Sequence, residues 1–516
     1  MKIFSENEMN SYVYSIVIYI FICISLLINS YFSINGNLSP DSTNYLAFAQ
    51  NLIDNGSFYL NYYGKENEWF AVWPLGYPTM IYLVAKIAGV SVFLASKVLN
   101  LLIVGVIFII FNYKFKENGF VFSSIFLLIP FLTVFSYTWS EAPFILGMLV
   151  FSISLHKYIE ADEINYMILF IITISAIFLF LSRYIGAFSV GVIGLAFIYL
   201  VYHRNLRKAL MLVIPILIGS AFMILYLYNN YLQTGFFTGT ERVSAPESIV
   251  GLIKMTVLAF IIELNLFTNN MHDGLSAMFG DYFGYTIFLI VILLQYSVFY
   301  LIFKKYSSYN TQIKKRLSIQ KLFLIIGLLY YGAIVIMRWT SSFDPLDYRL
   351  LIPGTFLILV SIILYSKESL NPKGFYRFKL SFIMIAVLSF GIYTLKPFIR
   401  PVLMNAEIRT YRNYVNELRE ETENIPPTSV IITTNEHLNY IRPDLIRINL
   451  TSEKITLEDI ENWHSFILRL QKNHTNKSIF IYAENLGPTK KIADLYDVSI
   501  FNNIKESQDG KILELR

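Results

Sequence analysis

Cysteine is almost absent: Cys23 is the only one in 516 residues. That excludes an intrachain disulfide and any cysteine-based metal centre. Histidine is scarce as well. The six histidines, at 156, 203, 272, 437, 464 and 474, have no HxxxH or HExxH spacing. A metal would therefore draw mainly on carboxylates, which suit Mg²⁺ or Mn²⁺ better than Zn²⁺. Charge is thin too. Charged residues make up 15% of the chain, against roughly 25% in soluble proteins. A net charge of +5 is too small to imply a nucleic-acid partner. No solenoid period or low-complexity tract occurs.

What is abundant is apolar surface, at 55% hydrophobic residues. The first apolar stretch, 12–34, is too long for a signal-peptide core and lacks a small-x-small cleavage site, so it reads as a retained span. A span needs about 20 apolar residues. Further stretches of that kind are 92–113, 119–138, 142–158, 166–182, 185–202, 209–230, 283–303, 321–338, 349–366 and 379–396. With these eleven spans and a cytoplasmic N-terminus, the inner loops collect Lys114, Lys116, Lys157, Arg204, Arg207, Lys208, Lys304, Lys305, Lys314, Lys315, Arg316, Lys367, Lys373, Arg377 and Lys379. That is the positive-inside distribution. Counting 76–90 as a span would reverse it for the following loops. Residues 76–90 and 249–267 therefore read as helices at the outer membrane surface. The second carries Lys254 and Glu263, which are costly at mid-bilayer.

The fold expected is mainly α. A polytopic membrane bundle occupies 1–396, with a first outer loop at 35–91 and a second outer region at 231–282. A small extracytoplasmic α/β domain occupies 397–516, entered through a helical linker at 400–424. Its strand candidates are 429–434, 445–449, 478–483 and 511–515, with a helix at 456–472. In the first outer loop, apolar residues at 45, 48, 49, 52 and 53 predict an amphipathic helix over 42–54, and SFYLNYYG predicts a hairpin strand.

Charged residues recur where outer loops meet spans: Asp41, Glu141, Arg183, Arg338, Asp344, Asp347 and Arg349. Such a rim suits a substrate whose lipid tail stays in hydrocarbon and whose phosphate lies at the interface. Cations would hold the phosphate, and carboxylates would hold a metal or take a proton. The runs DSTNYLAFAQNLIDNGSFYL and WPLGYPTMIYL, then TWSEAPFILGML, LSRYIGAF and DYRLLIPGTFLIL, resemble in order and sidedness the GT-C glycosyltransferases. The likeness is to their protein mannosyltransferase and aminoarabinose transferase branch, of the family 39 type, and covers about residues 10–365. Many relatives carry two adjacent acidic residues in the first loop, whereas here Asp41 is followed by Ser42.

The resemblance implies a membrane glycosyltransferase that moves sugar from a polyprenyl-phosphate donor to a lipid, polymer or protein acceptor, with inversion. Asp41 and Glu141 become the catalytic carboxylates and, with His272, the candidate ligands of a divalent cation. Arg183 and Arg349 become the donor-phosphate ligands. Trp73, Tyr77, Tyr184, Asp347 and Arg338 are substrate-binding candidates. Each has a plainer role: an N-cap for Asp41, a helix-dipole contact for Glu141, snorkelling for the arginines and an aromatic belt for the rings. His272 and Asp273 also fit a solvated loop. The membrane expected is the plasma membrane, with the C-terminal domain outside. The rival reading is a transporter or flippase of lipid-linked sugar, which would place charged or broken helices at mid-bilayer.

Overall fold

The computed structural model describes residues 6–33, 35–62, 65–245, 247–265, 281–307, 317–341, 346–404, 410–433, 435–449, 463–475, 477–484, 501–506 and 510–515. In chain order, α1 (Glu6–Phe32) precedes α2 (Pro40–Asp54), the hairpin β1 (Tyr59–Tyr62) and β2 (Lys65–Trp69), and α3 (Gly76–Ala88). Then come α4 (Val92–Phe115), α5 (Gly119–Ser123), α6 (Ile129–Ser136), α7 (Glu141–Glu160), α8 (Tyr166–Ser182), α9 (Phe188–Tyr202) and α10 (Leu206–Thr234). Next are α11 (Ile249–Glu263), α12 (Asp281–Tyr306), α13 (Ile319–Thr340), α14 (Tyr348–Ser369) and α15 (Pro372–Met404). The tail holds α16 (Tyr411–Thr422), β3 (Val430–Thr433), α17 (Leu438–Ile441), β4 (Ile446–Asn449), α18 (Trp463–Asn473), β5 (Ile479–Glu484), β6 (Phe501–Glu506) and β7 (Gly510–Leu515).

Among the described residues, nine helices are long and apolar enough to cross a bilayer, and α8 adds a shorter apolar helix. This is a multi-pass membrane protein. Helices α3 and α11 have 13 and 15 residues, short of the roughly 20 that a span requires. Contacts divide the chain into two units. The first takes in Met1–Asn29, Val72–Tyr77 and Lys97–Ala406; the second takes in Ser30–Ala71, Pro78–Ser96 and Glu407–Arg516.

Within the first unit, α7 and α14 form the centre. In each, 78% of the apolar window is buried in protein, against 17% for α12. Helix α13 lies hard against α14. A Cβ on Gly327 would come 2.9 Å from the Gly354 carbonyl oxygen, and one on Gly354 would come 2.5 Å from the Tyr331 ring. Small residues at such crossings let membrane helices approach closely, where dispersion replaces the missing hydrophobic drive.

One expected span is different in kind. Residues 119–138 form no continuous helix. The short α5 passes into a 3₁₀ turn over Ser124–Leu127, the chain becomes extended at Leu128 (ψ 139°), and α6 restarts with a proline in its first turn. Pro130 has no N–H to continue the earlier helix, and its ring excludes a helical approach from the N-terminal side. The break is tolerated because residues 121–136 are buried in protein, the only setting in which irregular backbone survives at membrane depth. The freed Ile129 N–H donates to Ser389 Oγ of α15 at 2.8 Å.

The second unit joins the first outer loop to the tail. The tail is a five-stranded sheet in the order β4-β3-β5-β7-β6. Strands β4, β3 and β5 run parallel, and β7 and β6 are antiparallel neighbours. Strand β3 is buried along its whole length, as expected of a central parallel strand covered on both faces. Strand β6, from FNNIKE, was not predicted; two asparagines and a bulge between Asn503 and Lys505 hide its alternation. The predicted helix over 456–472 is described only from Trp463, and the linker only as the end of α15 and as α16. Helix α17 packs on α2, and Asn439 Nδ2 donates to Asn44 Oδ1 at 2.9 Å in a buried contact. Lys477 pairs with Glu66 of the hairpin.

His437 of this unit sits among the rings of Tyr411, Tyr414 and Tyr440. Burial, and then the nearby Arg447, push its imidazole from 6.5 down to about 4. The folded state therefore keeps this ring neutral where the unfolded chain already binds a proton. Stability is full above 6.5 and falls as pH drops from 6.5 towards 4, by up to about 3 kcal/mol. Thermal unfolding of the full chain followed by tail fluorescence between pH 7.5 and 4.5 should show that slope, and His437→Phe should flatten it.

Candidate functional site

The site begins at the end of α6. That helix stops at Ser136, and its last carbonyls need partners. Lys97 of α4, itself buried, donates to Ser136 O at 2.7 Å and to Thr138 Oγ1 at 3.3 Å. Asn100, one turn later on the same face, donates to Phe135 O at 3.0 Å and Tyr137 O at 2.7 Å. The Tyr77 hydroxyl donates to Asn100 Oδ1 at 2.9 Å. A cation and an amide thus cap the helix and hold the linker to α7. In that linker Trp139 stacks on Tyr137 with ring centroids 4.2 Å apart.

Glu141 opens α7 and is fully buried. One oxygen, Oε1, receives two guanidinium groups: Arg349 Nε at 2.9 Å, and Arg183 through Nη1. Its other oxygen, Oε2, is buried with no hydrogen-bond partner among the described residues. The Arg349 guanidinium also lies 4.6 Å above the Trp139 ring, a cation–π contact strengthened by exclusion of water. All three charged groups stand at helix ends. Glu141 is the first residue of α7, Arg183 directly follows α8, and Arg349 is the second residue of α14. Together the three side chains carry a formal charge of +1. A buried charge without a counterion is very costly, so the carboxylate is what lets two cations share this space.

Two glycines make the Arg183 corner. Gly186 closes a 3₁₀ turn through its N–H to the Arg183 carbonyl at 2.7 Å. A Cβ there would collide with the Leu179 backbone. Gly76, from WPLGYP, packs on the end of α8, where a Cβ would lie 2.6 Å from the Leu181 carbonyl oxygen. The adjacent Leu75 N–H donates to the Tyr226 hydroxyl at 3.1 Å. The Pro-x-Gly-Tyr element is thus a backbone-to-backbone contact beside Arg183.

The other candidates are placed as follows. Tyr77 is fully buried and serves Asn100, a packing role rather than an exposed stacking face. Trp73 is half-buried just before α3. The Tyr184 hydroxyl accepts from Asn230 Nδ2 at 3.0 Å, and its ring meets Tyr226. Asp347 is the N-cap of α14, accepting from the Leu350 N–H at 3.1 Å. Arg338 pairs with Glu247 at 2.5 Å. Asp344, His272 and Asp273 lie outside the described residues. Asp41 belongs to the second unit, in the first turn of α2. The N-cap there is Ser39, which accepts from the Ser42 N–H, so capping is not what Asp41 supplies.

Sequence reasoning passed over Lys97, Asn100, Trp139 and Glu247. A signal existed for the first two: a lysine and an asparagine three apart inside an apolar span lie on one helix face and need partners in protein. Trp139 lies in the run TWSEAPFILGML but was not singled out there, and nothing marked Glu247 beyond its position outside a span.

No family model and no curated protein matches the sequence. Solved structures do. ArnT from Cupriavidus metallidurans bound to undecaprenyl phosphate aligns with 96% of this chain and 97% of its own, at a TM-score of 0.56 and 10% identity. Its apo form aligns with 97% of each chain at 0.56 and 12% identity. This is the GT-C fold. The apo oligosaccharyltransferase from Archaeoglobus fulgidus aligns with 92% of this chain and 69% of its own, at 0.51 and 10% identity. At such identity the likeness is one of fold alone.

Two substitutions test the scaffold. Asn100→Ala removes the partners of two carbonyls and a hydroxyl and should cost on the order of 3 kcal/mol, read as detergent-solubilised thermal stability. Gly76→Ala drives a methyl group into the Leu181 backbone. It should shift the Arg183 corner, and a bulkier Gly76→Val should lower the melting temperature further.

Proposed function

We propose that this chain is a glycosyltransferase of the extracytoplasmic membrane face that takes sugar from a polyprenyl-phosphate donor. The observation that carries the reading is the convergence of Arg183 and Arg349 on one buried oxygen of Glu141. Guanidinium groups are matched to phosphate oxygens, and here two are held in one place at the ends of apolar helices. A lipid tail along the bundle would bring its phosphate to that level. Solved GT-C-fold structures support the choice of carrier, since one of them holds undecaprenyl phosphate. The orientation proposed is supported by the opposite ends of the same helices. Helix α7 has Lys157 in its last turn and α14 has Lys367, which supports a cytoplasmic location for those ends under the positive-inside rule.

The chemistry is a single displacement. An acceptor oxygen attacks the anomeric carbon as the bond from that carbon to the phosphate oxygen breaks, and the phosphate leaves with the electron pair. The anomeric centre inverts. Arg183 and Arg349 stabilise charge developing on the leaving oxygen, preorganised by Glu141 and Trp139. The acceptor proton passes to a base, and Asp41 takes that role. Glu141 orients the arginines instead of acting as base, because its Oε1 is committed to both of them. A divalent cation fits poorly on the residues described. Glu141 Oε1 faces two cations, and no three acidic, histidine or cysteine groups gather among the described residues.

The test is transfer from a synthetic polyprenyl-phosphate sugar with release of polyprenyl phosphate as the readout. Arg349→Gln should lower kcat/KM by at least about a hundredfold, since it loses a charge-assisted contact worth about 3 kcal/mol. Asp41→Asn should abolish transfer and leave donor binding within a few-fold. Full transfer by a correctly inserted Asp41→Asn protein would overturn the base assignment.

A further inference from the structure

Asparagine is a poor helix former and costly to bury, yet this chain buries two of them against each other. Asn44 of α2 is 5% exposed and Asn439 of α17 is 6% exposed. Asn44 Nδ2 donates to the Pro40 carbonyl oxygen at 2.9 Å, and Thr43 Oγ1 donates to the same oxygen at 2.9 Å. A carbonyl oxygen only accepts, so this contact fixes which end of the Asn44 amide is nitrogen. Oδ1 is then turned away from Pro40, and it is the atom that Asn439 Nδ2 reaches at 2.9 Å. The Pro40 carbonyl belongs to the peptide group that carries the Asp41 nitrogen. The Pro40 ring also fixes φ at the first position of α2. The tail end of this relay is anchored in turn. Asn435 follows the buried strand β3, and its N–H donates to Thr433 Oγ1 at 2.9 Å. Its Oδ1 accepts from the His437 N–H at 3.0 Å, and its Nδ2 donates to the Tyr414 hydroxyl at 2.7 Å. Those bonds set the start of α17, and with it Asn439.

We propose that Asn439 is a positioning residue for Asp41. Through Asn44 and the Pro40 carbonyl it fixes the peptide that carries Asp41, and so couples sugar transfer to the folded C-terminal domain. This rests on the reading of Asp41 as the base. A base must lie within hydrogen-bond reach of the proton it takes, and a displacement of about 1 Å can cost about a hundredfold in rate. Adhesion alone does not call for amides here. An apolar pair of similar size can hold two helices together as stably as a buried hydrogen bond. What a satisfied polar pair adds is direction, because it specifies one arrangement among several that pack equally well. The direction specified here is that of the first turn of α2, where Asp41 stands.

The experiment measures release of polyprenyl phosphate from a synthetic polyprenyl-phosphate sugar by the full chain in nanodiscs. Rates are expressed per folded, donor-binding molecule and taken well below the melting temperature of each variant. Asn439→Ala should lower kcat about tenfold and leave the donor KM within about threefold. Asn44→Leu combined with Asn439→Leu should melt within a few degrees of the native protein, yet lose kcat by about tenfold or more. That double variant carries the test if Asn439→Ala does not fold. Asn44→Ala with Asn439→Ala should be no slower than Asn44→Ala alone, because both act through one bond. A kcat within about twofold of native in either folded variant overturns the proposal. So do losses that add in the alanine pair, or a higher donor KM with unchanged kcat. Asp41→Asn separates this inference from the reading beneath it. Full transfer by that variant overturns the base assignment and this inference together. Abolished transfer there, with native kcat in the Asn439 variants, overturns this inference alone.

Discussion

Two guanidinium groups on one buried carboxylate oxygen organise the centre of this protein. Neither arginine could be withdrawn from water alone, and the carboxylate could not be buried alone. Each makes the others affordable, and each is delivered by a different helix end. The geometry of three transmembrane helices is thereby pinned at one level. The same cluster is the strongest candidate for phosphate recognition, so packing and proposed chemistry depend on one set of charges.

The broken segment between α5 and α6 shows how the cluster is supported. A continuous helix would have carried the chain past this level. Pro130 resets the helix, Ser389 takes the freed N–H, and the restarted helix ends at Ser136 under Lys97 and Asn100. Those caps place Trp139 beneath Arg349 and Glu141 at the head of α7. A polar set buried within an otherwise apolar bundle thus converts a helix break into a fixed platform.

The second unit has a different logic. Its strands are held by backbone pairing and aliphatic packing, and it draws the first outer loop into the same compact body. The Asn44–Asn439 bond and the contact of Gly36, at φ +58°, with Tyr411 join segments several hundred residues apart. Asp41 therefore sits on a helix whose support comes from the far end of the chain.

Much of the architecture was legible from composition and periodicity. Long apolar stretches have few solutions in a bilayer, because every backbone group must be satisfied within a helix. The lysines and arginines in the loops are the basis for proposing that Glu141, Arg183 and Arg349 lie on the extracytoplasmic side. The α/β nature of the tail showed in its alternating strands, except for β6, whose asparagines conceal it. What only the tertiary structure decided was partnership. That Arg183 and Arg349 meet the same oxygen, that Arg338 turns to Glu247, that Tyr77 serves Asn100, and that 119–138 is a buried break are all facts about residues far apart in sequence. Local propensity acts over a turn or two of helix. Ion pairs and helix caps act through space, and they exist only once packing has brought their members within about 3 Å.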